Sequence, residues 1–265
     1  MKRWIPFLKS DPVVSVVRLQ GAIAASGARG LSDRGTADAI EKAFTRGRPA
    51  AVALEINSPG GSPVQSALIA ARIMRLSREK EVPVYSFVED VAASGGYWLA
   101  TAGQEIHVDR GSIVGSIGVI AASFGLPQAL DKVGVERRVH TAGKSKSFMD
   151  PFQPEKPADV QRLRAMLDEM HDYFKDHVTE RRSGKLPEGQ DLFTGDVWVG
   201  RQSVEVGLAD ALGQLVPVMK EKFGDKVRFR RYGQKRGLLQ RFGTQFADDA
   251  IAGLEERAAY ARFGL

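Results

Sequence analysis

Three short apolar runs rich in β-branched residues, Val13–Leu19, Ala51–Ile56 and Val82–Val88, recur along the N-terminal part of the chain. Each is bounded by turn formers and reads as a buried strand. Two helical segments lie between them. The first starts at Ser32, a favoured N-cap, puts Ala39, Ile40, Ala43 and Phe44 on one face and stops at Gly47. The second runs from Pro63 to Glu79, with Val64, Leu68, Ala71 and Ile73 or Met74 expected to face inward. Strand–helix alternation with short connections implies a mostly parallel sheet with helices on its faces. In such sheets ligands bind at the carboxyl ends of the strands.

Two turns fall at those ends. Asn57-Ser58-Pro59-Gly60-Gly61-Ser62 follows the second strand. Asp90-Val-Ala-Ala-Ser94-Gly95-Gly96-Tyr97-Trp98 follows the third and leads into a helix. The fold should bring the two turns together. Ser94 would then sit between strand and helix, beside the free N–H groups of a helix start, where a hydroxyl is well placed for nucleophilic attack. The plainer reading is that Ser94 only caps that helix. Attack on an amide also needs donors for the developing oxyanion, and the N–H groups of Gly95 and of the Gly60-Gly61 turn are candidates.

Beyond the third strand the pattern predicts a short strand at Glu105–Val108, a glycine-broken stretch at 111–119 and extended chain at Val119–Ala122. It predicts a short helix at Pro127–Val133 and a strand at Val135–His140. Thr141–Pro154 reads as a loop containing Lys144, Ser145, Lys146 and Ser147. The longest helix spans Ala158–Arg182, with Val160, Leu163, Leu167, Met170, Phe174 and Val178 expected along one buried face. Residues 193–210 read as a turn, a short helix and a return, and 245–263 as a peripheral amphipathic helix.

Composition narrows the chemistry. With no cysteine in 265 residues, disulfides, thiolate metal sites and a cysteine nucleophile are excluded. The four histidines show no metal-binding spacing, and none sits in a motif that suggests a general base. No cofactor or metal is expected. A lysine can serve as base only if burial favours its neutral amine. Lys144 and Lys146 lie beside Phe148 and Met149, although a loop lysine taken alone is surface decoration. The net charge of +6 is concentrated at 226–241, a stretch without an acid, which could touch nucleic acid or anionic lipid or simply be solvated. No RNA-binding fingerprint accompanies it. Met1–Lys9 is too short for a signal peptide or a membrane span, so the expected location is cytoplasmic, with peripheral contact at the inner membrane.

Four motifs in order, Asn57-Ser-Pro-Gly-Gly61, Ala93-Ser-Gly-Gly-Tyr-Trp98, Gly115-Ser-Ile-Gly-Val119 and Gly143-Lys-Ser-Lys-Ser-Phe-Met-Asp-Pro151, resemble the signal peptide peptidase A (SppA) family of serine peptidases. The run Gly200–Leu208 resembles that family's closing segment. The resemblance implies an α/β ClpP/crotonase-like fold, a mostly parallel sheet of repeated β-β-α or βα units with flanking helices. It implies a Ser/Lys dyad, with Ser94 as nucleophile, Lys146 rather than Lys144 as general base, and Ser116 orienting the lysine. Gly61 and Gly95 would form the oxyanion hole. Members assemble as homo-oligomeric rings or domes, and in some the lysine reaches a neighbouring subunit's serine.

These readings divide the chain into an extension at 1–12, a peptidase domain at 13–222 and a basic extension at 223–265. The expected activity is a serine endopeptidase acting on unfolded or short apolar peptides, such as signal-peptide remnants or misfolded membrane-associated segments. Well-known members carry an N-terminal membrane anchor, and no clear counterpart is legible here. The alternatives are a crotonase-like acyl-CoA enzyme, for which Glu89 and Asp90 are the nearby acids, and a non-catalytic membrane-surface scaffold.

Overall fold

The computed structural model describes residues 11–25, 30–143, 145–233 and 257–265. Strand β1 (Val13–Gln20) leads to helix α1 (Asp33–Thr45), β2 (Ala51–Ser58), α2 (Pro63–Lys80), β3 (Val84–Ala93) and α3 (Gly95–Ala100). Then come β4 (Glu105–Val108), β5 (Ile113–Gly115), α4 (Pro127–Lys132) and α5 (Pro157–Arg181). The described elements end with β6 (Val197–Val199), α6 (Gly200–Glu205), β7 (Ala211–Leu212), α7 (Leu215–Phe223) and β8 (Arg228–Tyr232).

The strands form one sheet in the order β6-β5-β3-β2-β1-β8, and β4 joins β3 to β7. All pairings are parallel except β5 with β6. This is the mostly parallel α/β sheet with flanking helices that the strand–helix alternation implies. Strand β2 is buried along its whole length, as a central strand covered on both faces must be. One face packs against Ile40 and Phe44 of α1, Ile69 and Ile73 of α2, α3, and Phe174 and Val178 of α5. The other face presents Val14, Val16, Ala51, Ala53 and Phe87 to Leu215 and Met219 of α7.

Caps set the first two helices. Ser32 accepts from Gly35 N–H, and Ser62 accepts from Gln65 N–H with Pro63 at the first helical position. Strand β3 runs five residues past the expected end at Val88 and stops against Ser94. Strand β8 lies beyond residue 222 and extends the same sheet by pairing with β1.

Three expectations fail. In α2 the inward residues are Ser66, Ile69, Ala70, Ile73 and Leu76, while Val64, Leu68 and Ala71 face outward. Periodicity finds an apolar stripe, but here the helix has apolar residues on both sides and packing selects the other one. No strand forms at Val135–His140, where every residue is exposed and no partner strand is near. Of the predicted α5 face, only Phe174 and Val178 are buried. Among the described residues none from Gly118 to Tyr173 is buried, so this whole stretch forms an exposed arm. The arm folds on itself: Leu126 N–H donates to Pro151 O at 2.7 Å and Arg137 pairs with Asp150 at 2.9 Å. The amphipathic helix expected at 245–263 lies mostly outside the described residues.

The two sides of α2 should differ sharply in a urea titration. Ile73→Ala is expected to cost about 2–5 kcal/mol, and Val64→Ala less than about 0.5 kcal/mol.

Candidate active site

Ser94 stands at the N-cap position of α3, yet its side chain caps nothing. Its backbone has φ 52° and ψ −122°, outside the regions open to a relaxed non-glycine residue. Such a conformation costs on the order of 1–3 kcal/mol and persists only where the surroundings impose it. Two backbone bonds do so: Ser94 N–H donates to Gly115 O at 2.8 Å, and Ser94 O accepts from Trp98 N–H at 3.1 Å. The hydroxyl makes no bond to its own helix and is left free for other chemistry.

The Gly60-Gly61 turn lies directly against this serine. A methyl group on Gly60 would sit 2.7 Å from Ala93 O and 2.8 Å from Ser94 Cβ. Gly60 O accepts from Ile23 N–H at 2.8 Å. Across a planar trans peptide the C=O and the next N–H point in opposite directions. The Ile23 bond therefore aims Gly61 N–H away from residue 23. A methyl group on Gly95 would lie 3.4 Å from Gly61 N, so the starts of α2 and α3 present their two N–H groups close together. Neither N–H has a hydrogen-bond partner among the described residues. The Ile23 loop is thus part of the turn's frame, a role that no local pattern in the sequence announces. What fixes it there is the non-local pairing of Ile23 with Gly61 and Leu31.

Helix α3 is held from behind. Tyr97 is fully buried and its hydroxyl donates to Leu208 O at 2.8 Å. Trp98 packs against Tyr173 and Phe174, and its ring stacks on His177 with centroids 4.2 Å apart. The Thr101 hydroxyl donates to Trp98 O at 2.7 Å, so its contact with His177 Nε2 at 2.8 Å takes the imidazole N–H as donor. Arg181 donates to Thr101 O and Gly103 O at the helix's C-terminal end. Helix α5 therefore clamps the element that carries Ser94.

Ser116 follows β5 as Ser94 follows β3. The register pairs Ala93 with Gly115, which puts the two serines at the next position on neighbouring strands. Ser116 also has positive φ, at 50°, and its N–H donates to Asp196 O at 2.6 Å. Lys146 is not brought to this group within one chain by any hydrogen bond. It is exposed on the arm, where its N–H donates to Gly143 O at 3.2 Å. Lys144 lies outside the described residues. The two acids considered for acyl-CoA chemistry are engaged elsewhere. Asp90 accepts from Asn57 Nδ2 at 2.5 Å, and Glu89 lies 3.5 Å from Arg18.

A hydroxyl held clear of its helix beside two convergent, unpaired N–H groups suits attack on an acyl carbonyl. Sequence comparison agrees with that chemistry. Residues 77–227 match the model of Peptidase family S49. The chain belongs to this family. Over 76% of its length it is 30% identical to the putative protease slr0021 of Synechocystis, covering 69% of that protein. It is equally similar to the probable protease SohB of Haemophilus influenzae, covering 56% of it. Its full length is 46% identical to 39% of a protein named Na(+)/H(+) antiporter NhaA in Brucella melitensis. The chain thus spans about two fifths of that relative, and the shared part includes the residues that match the peptidase model. A 1510-N membrane-bound stomatin-specific protease is 14% identical, with a TM-score of 0.48 and 84% of this chain and 98% of that one covered.

Burial, assisted by the Arg181 cation, lowers the His177 pKa to about 4. An unfolded histidine titrates near 6.5, so the unfolded chain binds this proton more tightly. The stability contributed by neutral His177 is complete above about pH 6.5 and is lost as pH falls toward 4. Thermal unfolding followed by circular dichroism should show wild type losing more stability between pH 7 and 4.5 than His177→Phe, which keeps the stacking ring.

Proposed function

We propose that this chain is a serine endopeptidase in which Ser94 attacks and Lys146 is the general base. The observation that carries the reading is the pair of unpartnered N–H groups, Gly61 and Gly95, beside a strained Ser94 that caps nothing. Ser94 Oγ adds to the scissile carbonyl as its proton passes to the neutral Lys146 amine. The oxyanion takes hydrogen bonds from Gly61 and Gly95. The resulting ammonium protonates the leaving amine, and water, activated by the same amine, hydrolyses the acyl ester. The Ser116 hydroxyl orients the lysine. Each step needs the base desolvated and within reach of Ser94.

A second copy supplies that environment. The arm that carries Lys146 exposes Phe124 at 86% and Val133 at 71%, together with Met166, Met170 and Tyr173 of α5. Apolar side chains left open in this number along one arm are what a partner surface would cover. We infer a homo-oligomeric ring or dome in which the arm lies on a neighbour and its Lys146 completes that neighbour's site. An enclosed assembly admits extended chains, so the substrates are unfolded or short apolar peptides, including signal-peptide remnants. A relative named as a putative signal peptide peptidase of Enterococcus faecium supports this substrate class. Among the described residues no helix is long and apolar enough to cross a membrane. The basic stretch at 226–241, described as far as residue 233, is proposed to make peripheral contact with anionic lipid at the inner membrane.

Hydrolysis of fluorogenic apolar peptides tests the dyad. Ser94→Ala and Lys146→Ala should each lose about a thousandfold or more, and wild-type activity should rise from pH 6 to 10, the direction expected of an amine base. Activity retained in Lys146→Ala would remove the lysine from the reaction. Mixing the two inactive variants under conditions that exchange subunits should restore part of the activity if the lysine acts between copies. No restoration, with exchange shown by native mass spectrometry, would place it within one copy.

A further inference from the structure

One buried side chain fixes the Gly60-Gly61 turn without facing the reacting atoms. Ser58 ends β2 and is fully buried. Its hydroxyl donates to Gly21 O at 2.7 Å and accepts from Gly60 N–H at 3.3 Å. Two backbone bonds complete the lacing: Ile23 N–H to Gly60 O and Ser62 N–H to Ile23 O, both at 2.8 Å. The hydroxyl therefore holds the peptide before Gly60, and Ile23 holds the one after it. Gly60 (φ 99°) and Gly61 (φ 142°) have no side chain to restrict them. What aims Gly61 N–H is this set of bonds.

We propose that Ser58 is a positioning residue that sets the direction of the Gly61 N–H. It acts through Gly60 N–H and Gly21 O, and the proposal rests on reading Gly61 as an oxyanion donor. Its hydroxyl is separable from its packing. The Ser58 atoms a methyl group on Gly96 would meet are the carbonyl O at 2.3 Å, the carbonyl C at 3.1 Å and Cβ at 3.2 Å, not the hydroxyl, and Ser58→Ala keeps all three. Losing the hydroxyl leaves the turn held by the Ile23 bonds alone and loosens the N–H about the position where negative charge develops. Ground-state binding, which uses the rest of the peptide, is untouched.

The test compares wild type, Ser58→Ala, Ser58→Cys and Ser94→Ala. Ser58→Ala should lower kcat by about tenfold to a hundredfold with KM within about twofold of wild type, the signature of an interaction made in the transition state. Affinity for a peptide aldehyde, whose tetrahedral adduct places an oxygen in the oxyanion position, should fall by the same factor as kcat/KM. Affinity for the same peptide with a reduced methylene-amine bond should not change. Ser58→Cys, which keeps the side-chain length but hydrogen-bonds weakly, should fall between the two and carries the same readouts if the alanine variant does not fold. A folded variant with wild-type kcat, or an equal loss of affinity for both ligands, would overturn the proposal. Turnover that Ser94→Ala abolishes but Ser58→Ala leaves intact would sink the Ser58 role alone. Wild-type protein without Ser94-dependent turnover would sink it together with the peptidase reading.

Discussion

The start of α3 lies against the end of β2 with no side chain between them. A methyl group on Gly96 would sit 2.3 Å from Ser58 O, and one on Gly95 2.3 Å from Ser66 Oγ. Real Cβ atoms do not make such contacts, so a larger residue at Gly96 would push α3 off the sheet, and one at Gly95 would collide with the Ser66 hydroxyl of α2. The whole site depends on this approach. It brings Gly61 N–H and Gly95 N–H together and presses Gly60 on Ser94, whose backbone is strained and whose hydroxyl caps nothing. Small residues serve here as spacing rather than as loop flexibility.

Close approach must be held against that strain, and α5 holds it. Trp98 lies among Tyr173, Phe174 and His177, while Arg181 takes the carbonyls at the far end of α3. Arg182, almost fully buried, donates twice to Gly207 O and pairs with Asp210. That network ties α5 to the same segment whose Leu208 O receives the Tyr97 hydroxyl. The helix that clamps the nucleophile's element is also continuous with the arm that bears Lys146. A shift of the arm that moved α5 would be felt at Trp98, one helical turn from Ser94.

The apolar surface divides into two kinds. The residues that hold the monomer are in β1 to β3, the inner sides of α1 and α2, α3 and the last turns of α5. A second set is apolar and uncovered: Val64 and Leu68 on α2, Phe124 and Val133 on the arm, Met166 and Met170 on α5. The first two belong to the helix that begins beside the Gly60-Gly61 turn. The chain thus spends apolar residues on surface close to its site and along the arm, in positions that add nothing to its own core.

Much of this was legible in the residues. The three buried runs, the helix start at Ser32, the strand at Glu105–Val108 and the two glycine turns at strand ends are local features with local causes. They are enough for a parallel α/β sheet and for the neighbourhood of Ser94, Gly61 and Gly95. The family motifs pointed to Lys146 and Ser116, whose chemistry no local pattern announces. Other features depended on which surfaces meet. Periodicity shows that α2 and α5 have apolar stripes but not what covers them, so the inward side of α2 and the bare half of α5 were misread. Val135–His140 has strand-forming residues and no partner, and a lone run without a neighbour leaves its backbone to water. The Ser58 hydroxyl and Ile23 N–H that frame the oxyanion turn act across 37 residues of chain. The sequence alone determined the sheet, its turns and the type of chemistry. The tertiary structure decided which hydroxyl is turned free, which N–H groups stand unpaired beside it and which apolar faces stay open, because each follows from non-local contacts that no short stretch encodes.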